Sequence, residues 1–198
     1  MADNSVVLET LREARLALDA LIANPSAING IEAAGRLLSE TFRGGGRAFS
    51  CGNGGSMCDA MHFAEELSGR FRAGRKALPA AAISDPGHLT CTANDYGYEQ
   101  VFSRYVEAHA RTGDCLLAIS TSGTSRNVIA AAATAKAQGA KVIALTVRPG
   151  SPLGALADIE ICTPAGHFAD RVQELHIKIV HILIELVERD LFPENYRG

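Results

Sequence analysis

The sequence predicts an α/β protein with a doubly wound parallel sheet flanked by helices, with N-terminal helices and a long buried C-terminal helix. Two observations lead there. From Arg47 onward, short and nearly continuous apolar runs alternate with helical patterns, as expected of parallel strands covered on both faces. The turns that follow the first three runs, "GNGGS", "SDPGH" and "STSGTS", are rich in small and hydroxyl residues. Loops at the carboxyl ends of such strands are where doubly wound sheets bind ligands.

Two helices come first. "SVVLETLREARLALDALIA" repeats its apolar residues at helical spacing, and "NPSAINGIEAAGRLLSETF" follows with Asn24 as its cap and Pro25 in its first turn. The glycines of "RGGGR" end this pair. "RAFSC" is the first strand, and the helix after the GNGGS turn runs to about Gly69. "LPAAAIS" is the second strand; "DPGHLTCTANDYG" then leads to a helix around "EQVFSRYVEAHA". "DCLLAIS" supplies a third strand, and the alanine-rich helix "RNVIAAAATAKAQ" stops at Gly139. "KVIALTV" and "DIEICTP" are further strands, and "FADRVQELHIKIVHILIELVERDLF" is the last helix. No repeat of solenoid period is present.

At 198 residues, with 47% hydrophobic and 21% charged residues, the chain has the length and composition of one globular domain with a sizeable core. A formal net charge of −3 argues against nonspecific nucleic-acid binding, and the densest basic patch is the short "GRFRAGRK". The start "MADNSVVLETLREAR" lacks the pattern of a signal peptide, and "IKIVHILIELV" is too short to span a bilayer, so a soluble cytoplasmic protein is expected. The five cysteines are Cys51, Cys58, Cys91, Cys115 and Cys162. They are odd in number and show no C-x-x-C spacing, which predicts reduced, mostly buried thiols rather than disulfides or a cysteine zinc knot.

"AISTSGTSRN" carries the strongest chemical signal. Ser120, Thr121, Ser122, Thr124 and Ser125 surround Gly123 between a strand and a helix. One or two hydroxyls serve a helix cap, whereas five suit a dianionic phosphate at a helix N-terminus. The loop has neither a Walker Gly-Lys-[Ser/Thr] ending nor a G-x-G-x-x-G pattern, so a small phosphorylated metabolite is favoured over ATP or NAD. In GNGGS, the three glycines permit close backbone approach or positive φ, Asn53 offers a donor and an acceptor, and Ser56 can cap the next helix. An unliganded tight turn has the same composition.

On the helix after that turn, His62 and Glu66 are four residues apart and share a face, with Glu65 on a neighbouring line. The spacing serves exposed ion pairs and metal sites alike. In the last helix, Gln173 falls among Val180, Ile184 and Ile177, His181 lies beside the strip of Glu174, Lys178 and Glu185, and His176 falls among Val172, Leu183 and Val187. Buried polar side chains require partners, and a core hydrogen bond or a subunit contact would supply them as well as a ligand would. Gln173 and His181 are separated by about 12 Å of helical rise.

"SCGNGGSMCDAMHFAEELSGR", "AISD", "NDYGYEQVFSRYVEA", "ISTSGTSRNV" and "FADRVQELHIKIVHILIEL" together closely resemble the phosphoheptose (sedoheptulose 7-phosphate) isomerases of the SIS, or sugar isomerase, fold group. The resemblance spans nearly the whole chain. It implies a single SIS domain over residues 1–198, with 1–45 a helical pair used in oligomerisation and 46–198 the α/β core. The implied reaction converts D-sedoheptulose 7-phosphate to D-glycero-D-manno-heptose 7-phosphate, the first step towards the ADP-heptose of bacterial lipopolysaccharide core. The family implies a homotetramer with active sites at subunit interfaces and one zinc per subunit, and no nucleic-acid or membrane partner is expected. By resemblance, the zinc ligands are His62, Glu66, Gln173 and His181, and Glu66 and His181 are the catalytic pair. Substrate contacts fall to Asn53, Gly54, Gly55, Glu66, Asn94, Asp95, Ser120, Thr121, Ser122, Ser125 and Gln173. Met57, Thr124 and Arg126 depart from the familiar pattern beside these motifs. Non-catalytic relatives that bind the bacterial replication initiator lack the glutamate of "HFAEE" and the later histidine, whereas Glu66 and His181 are both present here. Other SIS isomerases and sugar-phosphate sensors share a serine-rich loop but lack the pairing of "HFAEE" with "RVQELHIKIVH".

Overall fold

The computed structural model describes residues 4–164, 166 and 168–196. Five parallel strands, β1 (Ala48–Gly52), β2 (Ala80–Ala82), β3 (Cys115–Ile119), β4 (Lys141–Thr146) and β5 (Ile159–Cys162), pair in the order β2-β1-β3-β4-β5. The chain leaves β1 for β2 on one side and returns to β3 on the other. The topological switch point, and hence the ligand crevice, therefore lies between the carboxyl ends of β1 and β3. GNGGS and STSGTS flank that point. SDPGH follows the edge strand β2.

Side chains of the central strands alternate between two apolar layers. Cys115, Leu117 and Ile119 of β3 and Ile143 and Leu145 of β4 face one core, while Leu116, Ala118, Val142 and Ala144 face the other. The first layer is covered by α2 (Pro25–Arg43), α3 (Gly55–Ser68) and α7 (Ala169–Leu191), with α1 (Asn4–Ile22) packed outside on α2 and α7. The second is covered by α4 (Pro86–Tyr96), α5 (Ser103–His109) and α6 (Arg126–Ala137). Both faces of the sheet are thus buried, which is why its strands read as continuous apolar runs.

Asn24 caps α2 as expected, its side chain accepting from the Ala27 amide at 3.2 Å, with Pro25 at the first helical position. The stretch after β2 differs from expectation. It becomes helical at Pro86 rather than near Glu99, because Asp85 accepts from the His88 amide at 2.7 Å and Pro86 fits the first turn. Gly97, at φ 90°, ends α4, and the helix expected around "EQVFSRYVEAHA" is reduced to a short 3₁₀ turn and α5. Cys51 and Cys115 are buried, but Cys58 and Cys91 are exposed and Cys162 lies between, so the thiols are free but not mostly buried. Among the described residues no helix is long and apolar enough to cross a membrane.

Candidate active site

Two loops and two helices build the crevice. After β1, Gly54 adopts φ 56°, which a side chain would strain, and α3 begins with no side chain capping its N-terminus. Gly55 is required by space as well: a Cβ there would stand 2.6 Å from the amide nitrogen of Gln173. Gln173, near the start of α7, thus lies directly over the turn. It is half-buried rather than enclosed in apolar surroundings. The Asn53 side chain is fixed by reciprocal amide hydrogen bonds with the buried Asn127 of α6, at 2.9 and 2.8 Å, and by the Tyr98 hydroxyl at 3.0 Å.

After β3, the hydroxyls of the second loop bond chiefly to one another. Ser120 donates to the Ser125 hydroxyl at 3.0 Å, and Thr124 donates its hydroxyl to Ser122 at 2.9 Å. Ser125 occupies the N-cap of α6 without using its side chain as a cap. Two helix N-termini, those of α3 and α6, therefore converge on the switch point free of side-chain N-cap bonds from Gly54 and Ser125. Their amides and dipoles favour an anion. A cleft of about 280 Å³ opens beside the loop, lined by Thr121, Ser122, Thr124, Arg148, Ala169 and Val172. Asn94 and Asp95 lie on the exposed side of α4 and are hydrogen-bonded to each other at 2.7 Å.

Helices α3 and α7 run side by side in the same direction, as the neighbouring pairs Gly55/Gln173 and His62/His181 require. At the second of these positions His62 Nε2 and His181 Nε2 are 2.8 Å apart, so one nitrogen donates and the other accepts. Glu66 Oε1 lies 3.6 Å from the same His62 nitrogen. Glu65 reaches the other ring nitrogen, Nδ1, at 3.1 Å, so His62 is approached by both glutamates. Glu66 is the more enclosed of the two, with its side chain 18% exposed against 65% for Glu65.

Desolvation, followed by the His62 charge, lowers the His181 pKa below its ordinary value, favouring the neutral imidazole. One turn before His62, burial raises the Asp59 carboxyl to about 6, against a smaller opposing effect of His62, and leaves one of its oxygens without a partner. His176 is fully buried on another face of α7, 3.3 Å from the Thr163 hydroxyl, and desolvation lowers it to about 4.

His62, Glu66 and His181 fit a zinc ion chemically. They offer two imidazole nitrogens and a carboxylate, and the two separations made by His62 Nε2, 2.8 Å to His181 and 3.6 Å to Glu66, lie on either side of the roughly 3.3 Å edge of a tetrahedron with metal–ligand bonds of about 2.0–2.1 Å. The ligand atoms of His62, Glu65 and Glu66 also lie within 4.8 Å of one another. Of the expected ligand set, His62 stands close to both His181 and Glu66, while the Gln173 amide stands over Gly55 at the substrate end of the groove. Asp59, Asn127 and Tyr98 are the neighbours to which the sequence does not point, and Glu65, offset from the shared face by spacing, also reaches His62. The "RNV" at the start of α6 was the available signal for Asn127, since an asparagine buried in a first turn requires partners.

The switch-point crevice with two helix N-termini and a hydroxyl loop is the ligand site of a doubly wound α/β protein, and a family model of the SIS domain, matching residues 9–147, puts the protein in the SIS class. The chain is 53% identical over 186 residues to the phosphoheptose isomerase of Aeromonas hydrophila, covering 94% of this chain and 97% of that one. It is 56% identical over 181 residues to that of Histophilus somni, covering 91% and 93%. Among solved structures it is similar to a phosphoheptose isomerase from Francisella tularensis, with a TM-score of 0.86, 33% identity and coverage of 96% and 100%. The phosphoheptose isomerase from Neisseria gonorrhoeae matches with a TM-score of 0.78, 36% identity and coverage of 93% and 96%. The chain belongs to the phosphoheptose isomerase family of SIS-domain proteins.

Proposed function

We propose that this chain is an aldose–ketose isomerase that converts D-sedoheptulose 7-phosphate to D-glycero-D-manno-heptose 7-phosphate, the first step towards ADP-heptose and the lipopolysaccharide core. The observation that carries this reading is the facing pair His62/His181 with Glu66 alongside, on helices that start at a crevice with two helix N-termini free of side-chain caps. The 7-phosphate is bound by the hydroxyls of Ser120, Thr121, Ser122 and Ser125 and by the amides at the start of α6. Asn53, Gly54, Gly55 and Gln173 bind the sugar, and Asn94 and Asp95 from α4 complete its contacts.

The isomerisation moves one proton between adjacent carbons through a cis-enediol. The Glu66 carboxylate takes a proton from C1, the C2 carbonyl becomes a hydroxyl, and the C1 hydroxyl gives up its proton as the new carbonyl forms. Glu66 then returns the proton at C2. His181, biased towards its neutral form, moves protons between the two oxygens. His62, Glu66 and His181 are the residues that would hold zinc, with Gln173 as a fourth ligand only by turning its amide away from Gly55; the ion when bound polarises the carbonyl and favours negative charge on the substrate oxygens. His181 then acts through whichever ring nitrogen remains unligated, and Glu66 through its second oxygen.

The protein acts in the cytoplasm as a homotetramer with active sites at subunit interfaces. Apolar residues exposed on α1, including Val7, Leu8 and Leu11 at 55%, 49% and 61%, support use of the N-terminal helices in assembly. The test is incubation of the purified protein with sedoheptulose 7-phosphate while the aldose product is followed, with and without zinc. Conversion by the wild type is expected, and its absence under both conditions would refute the reading.

A further inference from the structure

The basic stretch "GRFRAGRK", of no evident use as a nucleic-acid surface, runs along α7 between α3 and β2. Three of its side chains meet α7 at His181, Glu185 and Glu188, positions that follow one line of that helix. The Phe71 ring lies 5.9 Å from the His181 ring at an interplanar angle of 32°. Arg72 pairs with Glu185 at 2.8 Å while its guanidinium lies 5.1 Å from the Phe71 ring centre. Arg75 Nε donates to Glu188 Oε1 at 2.5 Å, and neither of these side chains has any solvent exposure. Tyr196 donates its hydroxyl to the other Glu188 oxygen at 2.8 Å.

Apart from a 3.2 Å bond from Nη1 to the neighbouring Lys76 carbonyl, the remaining donors of Arg75 are aimed at the end of α3. Nη2 donates to the Glu66 carbonyl at 2.7 Å and Nη1 to the Leu67 carbonyl at 2.8 Å. A planar guanidinium holds such partners at fixed angles, which an ammonium does not. The two α3 carbonyls and the α7 carboxylate are therefore locked to one rigid group. Burying an ion pair is a poor route to stability, since apolar replacements of similar volume are often neutral or stabilising. What the pair uniquely provides here is register between the residue proposed as the base and the helix that carries its partner.

We infer that the 70–76 strap is the positioning device of the site. Arg75, clamped on Glu188, fixes the backbone of Glu66 against α7, and Phe71 abuts His181 from the same strap. This rests on the proposed roles of Glu66 and His181. Misplacing a catalytic group by about 1 Å can cost about 100-fold in rate, so loss of register acts on kcat more than on substrate binding.

The test uses two full-length variants. Arg75→Met combined with Glu188→Met replaces the ion pair by apolar side chains and keeps the fold. Arg75→Lys keeps the charge and loses the fork. For both, kcat is expected to fall about 10-fold to 100-fold, KM for sedoheptulose 7-phosphate to change less than about 2-fold, and zinc affinity to fall about 10-fold to 100-fold. In the metal-free proteins the NMR signals of the His62 and His181 rings shift or broaden, while those of His88 and His109, on the opposite face of the sheet, stay in place. Folded variants with wild-type kcat, wild-type zinc affinity and unmoved histidine signals would overturn the inference, even if they melt at lower temperature. If the wild type does not isomerise the sugar phosphate, the functional proposal fails, and the histidine signals still decide whether the strap sets the geometry.

Discussion

The two ends of the α3/α7 seam are built in opposite ways. At the end near the crevice, His62, Glu66 and His181 are partly exposed and joined by one short contact and one loose one. At the far end, Arg75 and Glu188 are fully enclosed, and their polar atoms reach the Glu66 and Leu67 carbonyls and the Tyr196 hydroxyl. The first arrangement leaves side chains able to exchange protons or take a ligand. The second leaves nothing free to move. Reactive groups are thus kept under-committed by over-committing their neighbours on the same two elements.

Substitutions at each end should therefore fail in different currencies. Glu66→Gln nearly preserves shape and removes the carboxylate base; a loss of about 10³-fold or more in kcat is expected with little change in melting temperature. Steady-state kinetics and thermal melts on one preparation check both halves of that statement. At the closed end, Arg75→Met alone strands the buried Glu188 carboxylate and should cost about 3–5 kcal/mol of stability, read from urea unfolding. Restoring balance with Glu188→Met should recover most of it.

His176 gives a smaller effect, confined to acid. Its folded pKa, lowered to about 4 from 6.5, means that its contribution is present above pH 6.5 and is lost as pH falls towards 4. At 1.36 kcal/mol per unit this amounts to about 3 kcal/mol, so His176→Gln should lose correspondingly less stability than the wild type between pH 7.5 and pH 4. The smallest change is expected at the crevice wall. Asn127→Ala removes two hydrogen bonds from Asn53, and KM should rise about 10-fold while kcat stays within about 2-fold. A fall in kcat with unchanged KM would show that Asn53 is tied to the seam rather than to binding.

Much of this could be read in the sequence because it is local. Apolar runs with glycine and hydroxyl turns mark β1 and β3 and the two loops at the switch point. Asn24 and Pro25 announce the start of α2. The same signal at Asp85 and Pro86 announces α4, although the polar make-up of "DPGHLTCTANDYG" resembles a loop. The seam was half legible: the i, i+4 spacing of His62 and Glu66 puts them on one face, but nothing local brings His181 to within 2.8 Å across 119 residues. Arg75 and Glu188 were invisible for the same reason. A charged residue in a basic patch and another near a helix end read as surface until tertiary packing encloses both. Spacing alone puts Glu66 and not Glu65 on the face of His62, whereas the imidazole presents two ring nitrogens and receives one glutamate on each.

The most direct test reads proton abstraction itself. Sedoheptulose 7-phosphate is incubated in D₂O with wild-type protein and with Glu66→Gln, and deuterium entering C1 of recovered ketose and C2 of the aldose is followed by NMR. Deuterium incorporation by the wild type and none by Glu66→Gln is the predicted result. Equal incorporation by both proteins would contradict the assignment of the base, and with it the role of the open end of the seam.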